Sequence, residues 1–176
     1  MNAEISDEEV IAHFKQNKDQ ESFNKIVLKY KDRLFNFILR YLSNTQDAED
    51  VLQDIFIKVY FKINLYDESK SSFVTWVFTV TRNTVFNKLK QKKMVRLDYD
   101  NMSLESNQGN NFEDDEIVQK AINVLDKKYK DIVLLYYMEG FKYKEIADIL
   151  KMPINTVKTR LNRAKGILKN ELKNNF

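Results

Sequence analysis

The sequence predicts an all-α chain: two small helical domains joined by a flexible linker, the C-terminal one carrying a helix-turn-helix. Three observations lead there. Among 176 residues there are three glycines and one proline, so turns that need special backbone angles are few. Apolar residues recur at intervals of three and four in both halves of the chain, the period of amphipathic helices. Between those halves, residues 95–112 read VRLDYDNMSLESNQGNNF, which is polar and has no period. Such a tether reaches up to roughly 60 Å at ~3.3 Å per residue. The domains are therefore expected over 1–94 and 113–176.

The first domain should be helical from about Asp7 to Lys93. Phe23, Ile26, Val27, Tyr30, Leu34, Phe37, Ile38 and Tyr41 recur at three and four and give one helix with a single buried face. Asn44-Thr45 interrupts it, and a second helix starts with Asp47 as a first-turn acid and runs to about Ile63. Asn64 to Ser72, NLYDESKSS, reads as a loop. Phe73 opens a third helix through Trp76, Val77, Val80, Val85 and Leu89 into a basic run. Phe112 to Phe176 holds about four more helices, the last two meeting at Lys151-Met152-Pro153.

Cysteine is absent, which removes thiol catalysis, disulfides and sulfur-ligated metals. His13 is the one histidine, so no Ser/His/Asp or Cys/His set is expected and His13 reads as a solvated bystander. No catalytic residue, cofactor or metal site is expected. No run approaches the ~18 apolar residues of a membrane span, and a soluble, cytoplasmic protein follows as the expectation.

The net charge of +3 is small, but its distribution is uneven. Val80 to Arg96 carries Arg82, Lys88, Lys90, Lys92, Lys93 and Arg96 without an acid. Lys151 to Lys173 carries seven bases against Glu171. Asn44 to Ile57 carries Asp47, Glu49, Asp50 and Asp54 without a base.

On the last helix, Val157, Leu161, Ala164 and Leu168 form a narrow inward stripe with Ile154 near its edge. Asn155, Lys158, Thr159, Asn162 and Arg163 occupy the remaining arc, side chains suited to phosphates and base edges. Pro153 fits just ahead of the helix start, with Asn155 or Thr156 as the cap. The plain alternative is a helical hairpin whose charged face is solvated. On the second helix, Ala48, Val51, Leu52, Ile55, Phe56, Val59 and Ile63 cover the buried side, and Asp47, Asp50 and Asp54 cluster opposite, with Ile57 and Phe61 between them. An acidic surface with apolar anchors suits a basic protein partner. A magnesium site on the three aspartates and a solvated face are the alternatives. The third helix pairs aromatics with bases, as single-strand capture requires, although Trp76 at helical spacing with Phe73 and Val80 also suits a core.

The string E-I-A-x-x-L-x-x-P-x-N-T-V-K-T-R-L-x-R-A, from Glu145, resembles the distal DNA-reading domain of bacterial sigma factors. Lys151 stands where the usual turn has Gly, and Asn155 where Gly is frequent; a non-Gly residue at positive φ costs about 1 kcal/mol. D-A-E-D-x-x-Q-D-x-F, from Asp47, resembles the core-polymerase-binding helix of the same proteins, with Asp54 in place of Glu. F-x-x-W with Arg82-Asn83 resembles their promoter-opening segment, with Asn87 where Asp is common. The three motifs are collinear, and the chain resembles the extracytoplasmic-function (ECF) group of the sigma-70 family.

The resemblance implies a non-enzymatic transcription initiation factor that directs RNA polymerase by reading the -10 and -35 elements. Asp47, Glu49, Asp50, Gln53, Asp54, Ile57 and Phe61 would dock on the β′ clamp coiled coil of core polymerase, and the second domain on the β flap. Asn64, Ser69, Lys70, Ser71, Trp76, Arg82, Asn83, Asn87, Lys88 and Lys90 would capture the proximal element, the loop holding an extruded base. Asn155, Thr156, Lys158, Thr159, Arg160, Asn162 and Arg163 would read the distal element. The linker, with Asp98, Asp100 and Glu105, would thread toward the active centre, and an anti-sigma factor is a further implied partner. The alternative is an autonomous helix-turn-helix regulator whose first domain dimerises or senses a ligand, binding palindrome-spaced sites by itself.

Overall fold

The computed structural model describes residues 6–42, 44–98 and 120–174. All regular structure among them is helical, and the chain divides into two compact units, Met1–Gly109 and Asn110–Phe176.

In the first unit, α1 (Asp7–Asn17) begins with a reciprocal cap: Ser6 Oγ accepts from the Glu9 amide at 3.2 Å and the Glu9 carboxylate accepts from the Ser6 amide at 3.0 Å. It ends at Lys18 in the left-handed region, φ 54°, whose N–H donates to Phe14 O at 2.9 Å. Asp19 then starts α2 (Gln20–Leu42) by accepting from the Ser22 amide at 2.8 Å. Of the expected face, Ile26, Tyr30, Leu34, Phe37 and Ile38 are buried, while Phe23, Val27 and Tyr41 lie half-buried at its edges.

Asn44 Oδ1 accepts from the Asp47 amide at 2.9 Å and starts α3 (Thr45–Lys62). The expected loop from Asn64 is shorter than its composition suggested, because Ile63–Leu65 closes one 3₁₀ turn before the chain extends at Tyr66. Helix α4 (Phe73–Asp98) runs past residue 94, so the segment expected as linker is helical over its first four residues. The rest of that segment, 99–112, with Asp100 and Glu105, lies outside the described residues.

The core of this unit comes from all four helices, with Phe14, Leu34, Phe37, Ile38, Ile55, Ile63 and Phe78 almost wholly shielded from water. Burial of one such side chain contributes about 1.5–3 kcal/mol. Aromatic edges lock the helices together: Phe37 meets Phe78 at 5.2 Å and Tyr30 meets Phe73 at 5.4 Å between ring centroids.

The second unit opens, among the described residues, with helical backbone over 120–124 and α5 (Lys127–Val133). The last turns widen over Leu134–Met138, where Glu139 N donates to Leu134 O at 3.1 Å, and Gly140 reverses the chain with φ 72°. Helix α6 (Tyr143–Leu150) and helix α7 (Ile154–Asn174) follow. Ile132, Leu134, Leu135, Phe141, Ile146, Ile149, Val157, Leu161 and Ala164 form its core.

Candidate functional site

Helix α3 presents the acid-and-apolar face that its sequence suggested. Glu49, Asp50, Gln53 and Asp54 are exposed, and Ile57 and Phe61 stand 55% and 75% exposed beside them. Leu65, 74% exposed on the 3₁₀ turn, continues the spacing of four; the sequence does not signal it, because Asn64 to Ser72 has no apolar period of its own. Asp47 behaves differently. It is half-buried, paired with Lys92 of α4, and 3.9 Å from Lys88. Among the described residues no three carboxylate or imidazole side chains converge on a set that could hold a metal ion, and Asp47 is turned toward cationic partners.

The loop after α3 is organised by Asp67. Its Oδ1 accepts from the Ser69 amide at 3.0 Å and from the Ser69 hydroxyl at 2.7 Å, and Lys70 Nζ lies 3.0 Å from Oδ2. The Ser69 hydroxyl above all, with Lys70 and the Ser69 amide, holds this carboxyl down at about 2. Ser69 and Lys70 are thus engaged within the loop, while Ser71 is half-buried. Asn64 Oδ1 accepts from Lys18 Nζ at 3.1 Å. Trp76 is half-buried, with Tyr66 and Phe73 at 5.8 and 5.7 Å, so one part of the indole packs and the other is open.

Along α4, Asn83, Asn87 and Lys90 are exposed, and the Arg82 guanidinium lies 4.6 Å from the Phe86 ring centroid. Lys88 is half-buried toward Asp47. Buried threonines would be costly if unpaired; here Thr81 and Thr84 donate to Val77 O and Val80 O at 2.8 and 2.9 Å.

In the second unit, Lys151 closes α6 in the left-handed region, φ 50°, ψ 53°, and the Met152 amide reaches back to Ala147 O at 3.0 Å. The turn that glycine usually makes is present with lysine in it. Helix α7 starts at Ile154, and the Pro153 carbonyl accepts from Thr156 and Val157 amides at 2.9 and 3.2 Å. Asn155 and Thr156 therefore lie inside the first turn and do not cap it. Asn155, Lys158, Thr159, Asn162 and Arg163 are exposed; Thr156 and Arg160 are half-buried, Arg160 lying 4.0 Å from Met152 Sδ. Val157, Leu161 and Ala164 are buried, Leu168 only half so. The Thr159 hydroxyl donates to Asn155 O at 2.9 Å and is thus engaged with its own helix. Beside this face Lys165 lies 5.9 Å from the Tyr137 ring, and hydrogen bonding to that phenol pushes the ammonium pKa up.

His13 is not a bystander. Its Nδ1 meets Asp19 Oδ2 at 3.0 Å and Ser22 Oγ at 2.9 Å, tying α1 to α2. Serine and aspartate share one ring nitrogen, so the imidazole cannot relay a proton from one to the other as a catalytic triad does; Ser22 is also buried. Among the described residues no helix is long and apolar enough to cross a membrane.

The first unit, with an acid-and-apolar helix beside a basic one, and the second unit, ending in a basic helix-turn-helix face, define a DNA-directed adaptor. Comparison with known proteins agrees. Residues 26–94 match the model of sigma-70 region 2 and residues 115–168 that of sigma-70 region 4. The chain is 29% identical over 171 residues to the ECF RNA polymerase sigma factor SigW of Bacillus subtilis (strain 168), covering 88% of this chain and 91% of that one. It is 27% identical to the ECF RNA polymerase sigma-E factor of Haemophilus influenzae, with 98% of each covered. Among solved structures, the sigma factor RpoE in complex with the anti-sigma factor NepR from Bartonella quintana superposes with a TM-score of 0.74 at 26% identity, over 87% of this chain and 98% of that one. CnrH in complex with the cytosolic domain of CnrY shares the fold at TM-score 0.74 and 19% identity, over 95% and 97% of the two chains. The chain belongs to the sigma-70 family, in its ECF group.

Proposed function

We propose that the protein is a cytoplasmic transcription initiation factor that binds core RNA polymerase and directs it to promoters through their -10 and -35 elements. The observation that carries this reading is the stripe of α3 and the 3₁₀ turn after it: Ile57, Phe61 and Leu65 stay in water beside Asp50 and Asp54. Exposed apolar anchors gain free energy when a partner covers them, and the carboxylates around them favour a basic partner. In this reading that partner is the β′ clamp coiled coil, while the β flap receives the second unit.

Asn155, Lys158, Thr159, Asn162 and Arg163 then read the distal element as duplex, and the loop 64–72 with the exposed side of α4 takes the melted strand of the proximal one. Extruding a base costs a few kcal/mol, a cost offset once polymerase has brought both surfaces onto one promoter. In this reading the remainder of the expected linker, after the end of α4 at Asp98, joins the two. The chain itself does no covalent chemistry. RpoE and CnrH are each seen with a protein partner, and by analogy an anti-sigma factor would cover part of these faces here.

The test is run-off transcription and DNA binding with and without bacterial core polymerase, on fragments flanking the protein's own gene. Transcription that needs both components supports the reading. Tight duplex binding by the protein alone, without polymerase-dependent initiation, overturns it.

A further inference from the structure

The sigma-70 region 2 match begins at residue 26, after α1. Yet α1 reaches the loop to which promoter capture is assigned. Lys15 Nζ donates to the carbonyl of Tyr66 at 2.5 Å and sits 4.8 Å from the centroid of the same ring. Lys18, the residue that ends α1 in the left-handed region, donates from Nζ to Asn64 Oδ1 at 3.1 Å. Three contacts from one helix end thus converge on two residues about fifty positions later in the chain.

The helix is braced against the pull. Asp7 accepts from the buried Tyr30 phenol at 2.5 Å and pairs with Lys29 at 2.5 Å. His13 bridges to Asp19 and Ser22, and Phe14 is wholly buried against Phe23 and Tyr60. A helix fixed at its start, middle and end transmits position, since its length cannot change without breaking backbone hydrogen bonds.

We infer that α1 is a positioning element for promoter-strand capture, with Lys15 and Lys18 holding the Asn64–Tyr66 segment in the conformation that receives the strand. Tyr66 is buried and packs on Phe73 and Trp76 at 5.4 and 5.8 Å, so the position of its backbone sets both where the loop leaves the 3₁₀ turn and where the indole sits. Lys15 is half-buried and committed to a carbonyl and a ring face, which assigns it to shaping the loop and not to neutralising phosphate. Preorganising a loop lowers the ordering cost charged to binding.

The inference rests on the reading of loop 64–72 as the capture site, and the experiment separates the two. Polymerase holoenzymes carrying Lys15→Gln, Lys15→Arg, Lys18→Gln or Lys70→Ala are titrated with a fluorescent single-stranded proximal-element oligonucleotide, alongside affinity for core polymerase and the base preference of capture. Lys15→Gln is expected to weaken oligonucleotide binding about tenfold, the scale of one lost charged hydrogen bond. It should flatten the base preference, and Lys15→Arg should recover both; Lys18→Gln should act in the same direction and less. Core affinity should change far less than oligonucleotide affinity, since only Leu65 of the polymerase-facing stripe lies within the held segment. Oligonucleotide binding unchanged in both glutamine variants but reduced in Lys70→Ala overturns the role of α1 and leaves the loop assignment standing. No change in any variant removes the loop assignment as well. Equal losses of core and oligonucleotide affinity in Lys15→Gln mean that α1 merely supports the fold, which also overturns the inference.

Discussion

Asp47 on α3 is paired with Lys92 on α4, with Lys88 of the same helix 3.9 Å away. The first acid of the face assigned to polymerase is therefore neutralised from within, and the nearest bases of α4 are partly spent on it. Asp50 and Asp54 are exposed, and they carry the field that an incoming basic surface meets.

Asp50→Lys is accordingly expected to abolish binding to core polymerase while leaving the thermal unfolding midpoint unchanged, because it reverses charge on an exposed position. Asp47→Ala should do the opposite: lower stability by about 0.5 kcal/mol, the scale of a partly exposed ion pair, with a small effect on core affinity. Pull-down of core polymerase together with thermal denaturation reads both. Intact binding by Asp50→Lys removes this face from the interface.

Phe61 is the most exposed apolar residue of the stripe, at 75%. Truncating an anchor that the partner covers costs about 2 kcal/mol or more in affinity, yet truncating an exposed ring costs the free protein little. Phe61→Ser should weaken core binding roughly thirtyfold, the equivalent of that energy, without moving the melting curve. Leu65→Ser, if the stripe works as a unit, should follow it in the same titration.

Much of this was legible in sequence because burial and helical period coincide. Val157, Leu161 and Ala164 face inward, and the α7 side chains assigned to DNA in the proposal, Asn155, Lys158, Thr159, Asn162 and Arg163, stay out; the left-handed Lys151 was legible because a glycine was missing from a turn that needs one. What escaped were contacts across long stretches of chain. Asp47 meets a lysine 45 residues away, Lys15 a carbonyl 51 residues away, and His13 both Asp19 ahead of α2 and Ser22 within it. No periodicity encodes such pairs, since they depend on how the helices pack. The α7 cap failed for a local reason: propensity favoured Asn155 or Thr156, but Pro153 already supplies the first helical carbonyl acceptor.

The loop 64–72 should be insensitive to acid over most of the accessible range. Ser69 and Lys70 hold the Asp67 carboxyl at about 2, below its ordinary value of about 3.9. The sign follows from linkage: a depressed folded pKa stabilises fully above the unfolded value, and that contribution is lost as pH falls through about 2. The Ser69 amide resonance, whose N–H donates to Asp67, should therefore titrate with a midpoint near 2. A midpoint near 4 means that the turn is not formed in solution.

Arg163 and Arg160 lie three residues apart on α7 but do not share an environment. Arg163 is exposed on the arc proposed to face DNA, whereas Arg160 is half-buried by Met152 of the turn. Arg163→Ala should cost about 1–3 kcal/mol in use of the distal element and relax preference at one base position. Arg160→Ala should weaken all promoters alike, if at all, and lower the stability of the second unit. Transcription from a panel of single-base promoter variants distinguishes the two patterns.

Lys151 holds φ 50° and ψ 53° at the end of α6, with the Met152 amide bonded to Ala147 O. A side chain there brings its Cβ against the neighbouring carbonyl, a strain of about 1 kcal/mol that glycine does not carry. Glycine pays part of that back through its greater freedom in the unfolded chain. The strain is the larger effect, so Lys151→Gly should raise the stability of the second unit by about 0.5 kcal/mol. It also removes one positive charge from the turn between α6 and α7, so non-specific DNA binding should weaken and its salt dependence become shallower. Thermal denaturation and a salt titration of DNA binding read the two effects separately. A destabilised variant means that the Lys151 side chain contributes contacts worth more than the strain it imposes.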